Sequence, residues 1–247
     1  MTYQMTVSPD FAPEYIAGWY IFNTWLQKQL GESIHLELYP DFESQREAIK
    51  NGRVDIIYAN PFDASMLIRE KGFTALVRPN NKADEAVVVV NAQNPATCVE
   101  ELPSTIRLTS TDDPDVHLMG MMMLEPADLD ASNTKRQMVD SYVLVAKHLI
   151  RGDADVGFFL KDAFDNLSRF TREQLSVLVE SQISLIHHSL LVGPRLAAQA
   201  EQIRELILTM ADDPKGAGVL KSLNFDDAVA VDQEDAEFMI DLMDTLG

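Results

Sequence analysis

Three groups of side chains in this sequence have the types and spacing that chemistry requires. Asp55 and Asp155 are two carboxylates in matching contexts, which is the composition of a general acid–base pair. His187 and His188 are adjacent imidazoles, the side chains best suited to bind a metal or transfer a proton. The acidic run Asp112–Asp115 would attract a cation and repel a dianion. Each group also has a structural interpretation, which depends on the elements around it.

The two aspartates belong to a repeated α/β phrase. Ile49–Tyr58 and Leu149–Phe158 each run from a helical stretch through a glycine to an Asp that opens an apolar segment. Glycine tolerates the left-handed conformation that ends a helix, and an apolar run without alternation is typical of a strand buried on both faces. We therefore interpret Asp55 and Asp155 as residues that fix helix-to-strand turns. The repeat predicts two lobes of similar build with a cleft between them.

The adjacent histidines fall on a predicted strand, Ile183–Val192, where neighbouring side chains point to opposite faces. They cannot both reach one ion, and no Cys, His or Glu spacing supports a metal site. We predict no metal and no cofactor, and only His188 is retained as a candidate for facing the cleft. The sequence has no Gly-rich phosphate loop, nucleophile elbow or zincin helix, which favours a protein that is not an enzyme.

Composition argues against several classes of partner. The 247 residues include 39 acidic and 20 basic side chains, for a net charge of -19, so neither nucleic acid nor an anionic membrane is expected to bind. No apolar run approaches the roughly 18 residues that span a bilayer, so no membrane insertion is expected. We expect a monomer. The first residues lack the basic and apolar regions of a signal peptide, which predicts the cytoplasm, or the periplasm if a signal was removed.

Alternating strand and helix patterns predict an α/β fold of two lobes joined by two crossings. We place lobe I at residues 1–83 plus 185–247 and lobe II at residues 84–184. Predicted strands are Tyr3–Val7, Ile34–Tyr39, Val54–Tyr58, Phe73–Arg78, Ala86–Val90, Thr105–Leu108, Arg136–Val139, Val156–Leu160, Leu175–Val179 and Ile183–Val192. After Gly193 every predicted element is a helix.

A set of motifs in order along nearly the whole chain carries a family resemblance. These are Val7–Glu14, Gly52–Pro61, Gly152–Gly157 and Asp212–Gly216, followed by a closing acidic helix. Together they resemble the phosphate, phosphite and phosphonate-binding proteins of ABC importers. The resemblance implies the type II periplasmic-binding-protein fold, in which each lobe is a mixed, mostly parallel sheet flanked by helices. It also implies a small anion or zwitterion such as phosphonate or phosphate as ligand, and an ABC permease or a signalling protein as partner.

The resemblance also implies where ligand groups come from: the loop after the first strand, the third strand, and two helix starts in lobe II. Carried over by position, these are Ser8, Tyr58, Asn60, Thr109, Ser110, Thr111, Asp140 and Ser141. Hydroxyls and backbone N–H groups at helix starts suit an oxyanion, and Asp140 would pair with an amine on the same ligand. The run Asp112–Asp115 departs from the family pattern. It indicates either helix capping by Asp113 beside a degenerate or retuned site, or a zwitterionic or cationic ligand.

A second function stays open at this point. The same fold carries cytosolic enzymes, among them chorismate dehydratases, which use the cleft for elimination chemistry. Such an enzyme needs an acid or base aimed into the cleft, and the candidates are Asp140, Asp162, His187 and His188. The leading hypothesis is a non-catalytic solute-binding protein, and the enzyme is the alternative.

Overall fold

The computed structural model describes residues 2–11, 13–80 and 82–246, and the predicted lobe ends at residues 1 and 247 lie outside this range. The chain forms two compact units. Unit 1 comprises Met1–Lys82 and His187–Asp244, and unit 2 comprises Ala83–Ile186 and Thr245–Gly247. No helix within the described ranges has the length and apolar content needed to cross a bilayer.

Unit 1 is built on a sheet whose central strands are apolar on both faces. Its described strands are β1 (Thr2–Val7), β2 (Ser33–Leu36), β3 (Ile56–Ala59), β4 (Thr74–Pro79), β10 (Ser189–Val192) and β11 (Ala228–Ala230), numbered along the whole chain. Their order in the sheet is β11-β4-β10-β3-β1-β2. Strands β1 to β4 run in one direction, whereas β10 and β11 run against their neighbours.

Helices cover both faces of this sheet. They are α1 (Ile16–Leu30), α2 (Phe42–Lys50), α3 (Pro61–Lys71), α8 (Ala200–Leu208), α9 (Pro214–Ser222) and α10 (Gln233–Leu246), with 3-10 turns at Pro13–Tyr15, Pro194–Gln199 and Met210–Asp212. Successive strand residues enter different cores: Ile56 packs with Trp19 of α1, and Ile57 packs with Leu67 of α3. The two-sided burial explains why the strands carry apolar runs without polar alternation.

Unit 2 has the same strand arrangement around a smaller sheet. Its described strands are β5 (Ala86–Asn91), β6 (Ile106–Ser110), β7 (Thr134–Met138), β8 (Val156–Leu160) and β9 (Leu175–Glu180), in the order β7-β6-β8-β5-β9. Its helices are α4 (Pro114–Leu124), α5 (Tyr142–Arg151), α6 (Lys161–Asp165) and α7 (Arg169–Arg172), with 3-10 turns at Val99–Glu101 and Glu125–Ala127. Strand β5 runs antiparallel to the other four strands.

Asp55 and Asp155 make equivalent hydrogen bonds in the two units. Asp55 accepts the N–H of Gln4 on β1 at 2.9 Å and the guanidinium of Arg195 at 2.9 and 3.0 Å. Asp155 accepts the N–H of Arg107 on β6 at 2.8 Å and the guanidinium of the same residue at 2.6 and 3.1 Å. The glycine before each aspartate has a positive φ, 65° and 75°. Both carboxylates therefore fix helix-to-strand turns, as the repeat predicted, and neither forms an acid–base pair.

The two largest differences between the predicted and the observed strands lie in the C-terminal third of the chain. The predicted strand Ile183–Val192 is wrong in its first half, because β10 begins only at Ser189. Glu85 accepts the N–H groups of Ile183 and Ser184 at 3.2 and 2.7 Å, and Ser184 has a φ of 59°, which an extended strand does not allow. The prediction that only helices follow Gly193 missed β11, a three-residue strand that depends on pairing with β4.

Candidate functional site

In unit 1 the predicted polar residues meet at the carboxyl ends of two parallel strands. Ser8 follows β1 and Asn60 follows β3, and the two strands are parallel neighbours. The N–H of Ser8 donates to the carbonyl of Tyr58 at 2.8 Å, which ties the two strand ends together. Ser8 and Asn60 are buried. This edge is where open α/β sheets place ligands, because the helices that follow the strands begin there.

A buried carboxylate–imidazole pair lies at the same edge. The Nε2 atom of His188 lies 3.1 and 3.0 Å from the two carboxylate oxygens of Asp10, and the His188 ring stacks on Tyr58 at 5.2 Å. Burial alone would raise the pKa of Asp10, but the charge and hydrogen bond of His188 hold this pKa below its usual value. The neighbouring His187 contacts Ser189 instead, so the two histidines face different partners.

The start of α3 holds a second buried carboxylate. The Oδ1 atom of Asn60 accepts the N–H of Asp63 at 2.7 Å and caps the helix. The carboxylate of Asp63 is 3% exposed and takes hydrogen bonds of 2.6 and 3.2 Å from the guanidinium of Arg46. Burial raises the pKa of Asp63, although Arg46 opposes that effect. Asn60 is therefore committed to the fold through its oxygen, and its Nδ2 has no partner among the described residues.

In unit 2 a buried run of hydroxyls ends β6. Thr109, Ser110 and Thr111 are each at least nine-tenths buried. The hydroxyls of Thr109 and Thr111 have no hydrogen-bond partner among the described residues, which is costly for buried polar groups. Ser110 accepts a hydrogen bond through its Oγ at 2.8 Å, so its own proton stays available for donation.

The donor to Ser110 is Arg136, a residue that sequence analysis did not select. Its Nε donates to Ser110, and its Nη2 donates to the carbonyl of Thr111 at 2.8 Å. Burial lowers the pKa of Arg136, and the carboxylates of Asp112 and Asp113 oppose that effect. Arg136 lies on β7, which pairs in parallel with β6. The parallel pairing of β7 with β6 could have indicated Arg136 as a site residue, because the carboxyl ends of parallel neighbouring strands lie at the same edge of a sheet.

Asp113 caps α4, which confirms the capping interpretation of the acidic run. Its Oδ1 accepts the N–H groups of Asp115 and Val116 at 3.1 and 3.2 Å. Its Oδ2 accepts the hydroxyl proton of Tyr142 at 2.9 Å, which fixes the carboxylate from α5 as well. Both oxygens act as acceptors, which is the role of an ionised carboxylate. The positive end of α4 therefore faces a negative charge supplied by the chain itself.

The remaining predicted residues lie at the start of α5. Ser141 caps this helix by accepting the N–H of Leu144 through its Oγ at 3.4 Å, and Asp140 is exposed. The proposed pairing of Asp140 with a ligand amine stays a prediction.

His117, in the first turns of α4, makes the stability of unit 2 depend on pH. Burial, helped by the positive charge of Arg136, lowers the pKa of His117 from 6.5 to about 4. Between these values the unfolded chain takes up a proton and the folded chain does not, so stability falls as pH decreases from 6.5 to about 4. We expect His117→Asn to flatten this dependence. Hydrogen exchange of unit 2 peptides across the window measures it, with exposed His35→Asn as the control. An unchanged slope in His117→Asn would contradict the assignment.

The comparisons with known proteins point to one family. A model of the family described as "ABC transporter, phosphonate, periplasmic substrate-binding protein" matches residues 5–236. The chain belongs to this family. It is a non-catalytic solute-binding protein, and the enzyme alternative is set aside because the family is one of substrate-binding proteins. No curated protein sequence matches the chain significantly.

Solved structures agree on the fold, which is that of the type II periplasmic-binding proteins. PhnD1 from Prochlorococcus marinus (MIT 9301), in complex with methylphosphonate, has a TM-score of 0.83 at 13% identity, covering 99% of this chain and 98% of that chain. A binding protein component of an ABC phosphonate transporter (PA3383) from Pseudomonas aeruginosa has a TM-score of 0.78 at 14% identity, covering 100% and 89%. XAC2383 from Xanthomonas citri, bound to ATP, has a TM-score of 0.79 at 15% identity, covering 99% and 96%.

Proposed function

We propose that this substrate-binding protein takes up a small oxyanion or zwitterion of the phosphonate class and presents it to an ABC permease. The observation that supports the proposal most is the hydroxyl run Thr109–Thr111 with Arg136 bound to it. Buried hydroxyls that lack partners need an acceptor, and an oxyanion supplies several acceptor oxygens at once. The family description names phosphonate, and the Prochlorococcus relative is in complex with methylphosphonate.

In unit 1 the supporting residues are Ser8, Tyr58, Asn60 and His188, at the carboxyl edge of β1 and β3. The ring of Tyr58 packs against Trp19 at 4.8 Å and against His188, which gives this edge an aromatic wall. An amine on the ligand would suit the acidic groups of either unit, because a carboxylate and an ammonium form a charge-assisted hydrogen bond. We further propose that the protein acts as a monomer.

A thermal-shift screen tests the proposal. The panel is phosphate, phosphite, methylphosphonate, aminoethylphosphonate, alkylsulfonates, carboxylates and polyamines. A solute at about one hundred times its dissociation constant adds roughly 2.7 kcal/mol to the free energy of unfolding. For a chain of this length the melting temperature then rises by roughly 5–10 °C. A panel without any shift would contradict the proposed function.

Ser110→Ala locates the site once a solute is found. We expect the variant to bind that solute roughly ten- to a hundredfold more weakly, because a hydrogen bond to a charged group is lost. Ser104→Ala is the matched control, since Ser104 is exposed and precedes the other end of the same strand. Calorimetric titration measures both variants. Equal affinities for Ser110→Ala and Ser104→Ala would place the site elsewhere.

A further inference from the structure

The carboxylate of Asp113 occupies the N-terminus of α4, which is the part of a helix that commonly binds an anion. The N–H groups of Asp115 and Val116 donate to the side chain of Asp113, and the N–H of His117 donates to its carbonyl at 3.2 Å. Pro114 has no N–H to offer. The backbone donors in the first turn of α4 are therefore taken up by Asp113, and its carboxylate offsets the partial positive charge of the helix end. A ligand cannot use this helix start in the usual way for oxyanions.

A guanidinium lies beside the occupied helix start. Two N–H groups of Arg136 are held by Ser110 and Thr111, so the planar group is fixed in position. Its Nη1 makes no hydrogen bond to the part of the chain that the structure describes, and the residue as a whole is exposed although its guanidinium is partly buried against Ser110 and Thr111. The hydroxyl of Thr111, nine-tenths buried and without a described partner, belongs to the same cluster. A fork of N–H donors next to unused hydroxyl protons is the arrangement that binds oxyanions.

We propose that Arg136, with the hydroxyls of Ser110 and Thr111, binds a singly charged oxyanion head group, and that Asp113 selects against a doubly charged one. This inference rests on the proposed function and names the ligand charge. One fixed guanidinium balances one negative charge. A second negative charge would come close to the carboxylates of Asp112 and Asp113, both of which act electrostatically on Arg136. A sulfonate or a phosphonate monoanion fits this requirement, and a phosphonate dianion does not.

Two ligands of nearly equal size separate charge from shape. Methanesulfonate carries one negative charge, whereas methylphosphonate carries two at about pH 8.5, since the second ionisation of such groups lies near neutrality. We expect the wild-type protein to bind methanesulfonate at least about tenfold more tightly than methylphosphonate at that pH, as measured by calorimetric titration. Near pH 5.5, where methylphosphonate is mostly a monoanion, the two affinities should converge.

Variants test the role of each residue. Asp113→Asn keeps a good N-cap but removes the charge, so we expect methylphosphonate to gain about tenfold relative to methanesulfonate. Asp153→Asn is the control, because it makes the same charge change in the turn before β8, which is the opposite edge of the same sheet. Arg136→Gln should weaken both ligands at least about tenfold, and the melting temperature of the free variant separates this loss of binding from a loss of stability.

The other possible results would contradict either the charge selection or the proposed function. Tighter binding of methylphosphonate than methanesulfonate at about pH 8.5, or an unchanged ratio in Asp113→Asn, overturns the charge selection. Binding of neither ligand, with a shift by another solute in the screen, overturns the charge selection and leaves solute binding standing. Only the absence of a shift by any solute overturns the proposed function itself.

Discussion

Replacing Arg46 by Met is expected to lower the free energy of unfolding of unit 1 by about 3–5 kcal/mol. The reason is Asp63, whose carboxylate is 3% exposed and takes two hydrogen bonds from the Arg46 guanidinium. Without Arg46 a negative charge stays buried with no counter-charge, which costs far more than the pair itself contributes. Met keeps an unbranched apolar side chain, but the guanidinium that lies 5.1 Å from the ring centroids of Phe42 and Phe62 is also removed, so a cation–π contribution is lost together with the ion pair.

The pH dependence of this loss has a defined sign. Burial already raises the folded-state pKa of Asp63 above 3.8, and removal of Arg46 raises it further. Between the unfolded and folded values the folded state binds more protons, so stability increases as pH falls. The destabilisation of Arg46→Met is therefore greatest at neutral pH and shrinks as pH decreases through the folded-state pKa. A loss that does not change with pH would contradict the role of Asp63.

Urea unfolding followed by tryptophan fluorescence measures the effect, because Trp19 and Trp25 both lie on α1 in unit 1. Arg69→Met is the matched control on the neighbouring helix α3. Arg69 pairs with three exposed acidic residues of α10, and exposed pairs contribute up to about 1 kcal/mol. The double change Arg46→Met with Asp63→Asn should recover most of the stability, since no buried charge remains. Equal losses in Arg46→Met and Arg69→Met would show that burial of Asp63 is not the cause.

Two glycines in one helix are expected to respond to alanine with opposite signs. A Cβ on Gly216 of α9 would lie 2.1 Å from the carbonyl oxygen of Met210, which is backbone and cannot rotate away. We expect Gly216→Ala to lower the free energy of unfolding by about 3 kcal/mol, because α9 must shift away from the preceding turn. A Cβ on Gly218 meets nothing within 4 Å, so Gly218→Ala should add up to about 1 kcal/mol through helix propensity.

Each of the two variants is the control for the other, because both replace glycine by alanine and the two positions lie two residues apart in α9. Urea unfolding monitored by tryptophan fluorescence gives both values. If Gly216→Ala also stabilises the protein, then helix propensity outweighs the close approach, and α9 does not pack on Met210 as tightly as the structure has it.

The sequence determined the elements whose signals are local. The strand Val156–Leu160 lies at its predicted bounds, and the helices Pro61–Lys71 and Pro114–Leu124 form where the local sequence signals for a helix start are strongest. Each helix has a proline in its first turn and a side-chain cap before it, and these signals act within a few residues of chain. The repeated turn with Asp55 and Asp155 was equally visible, because the same short-range geometry produces the same residues twice. Local chemistry therefore predicted the two-unit α/β architecture and the capping role of Asp113.

Only the tertiary structure decided which polar side chains come together. The pairing of His188 with Asp10 joins residues 178 positions apart, and that of Arg136 with Ser110 joins residues 26 positions apart. Periodicity records which face of an element is apolar, but it carries no information on which strand becomes its neighbour. The same reason explains two errors in the sequence prediction. Strand β11 was missed because it depends on pairing with β4, and the irregular segment before β10 was predicted as a strand because its contact with Glu85 lies far away along the chain.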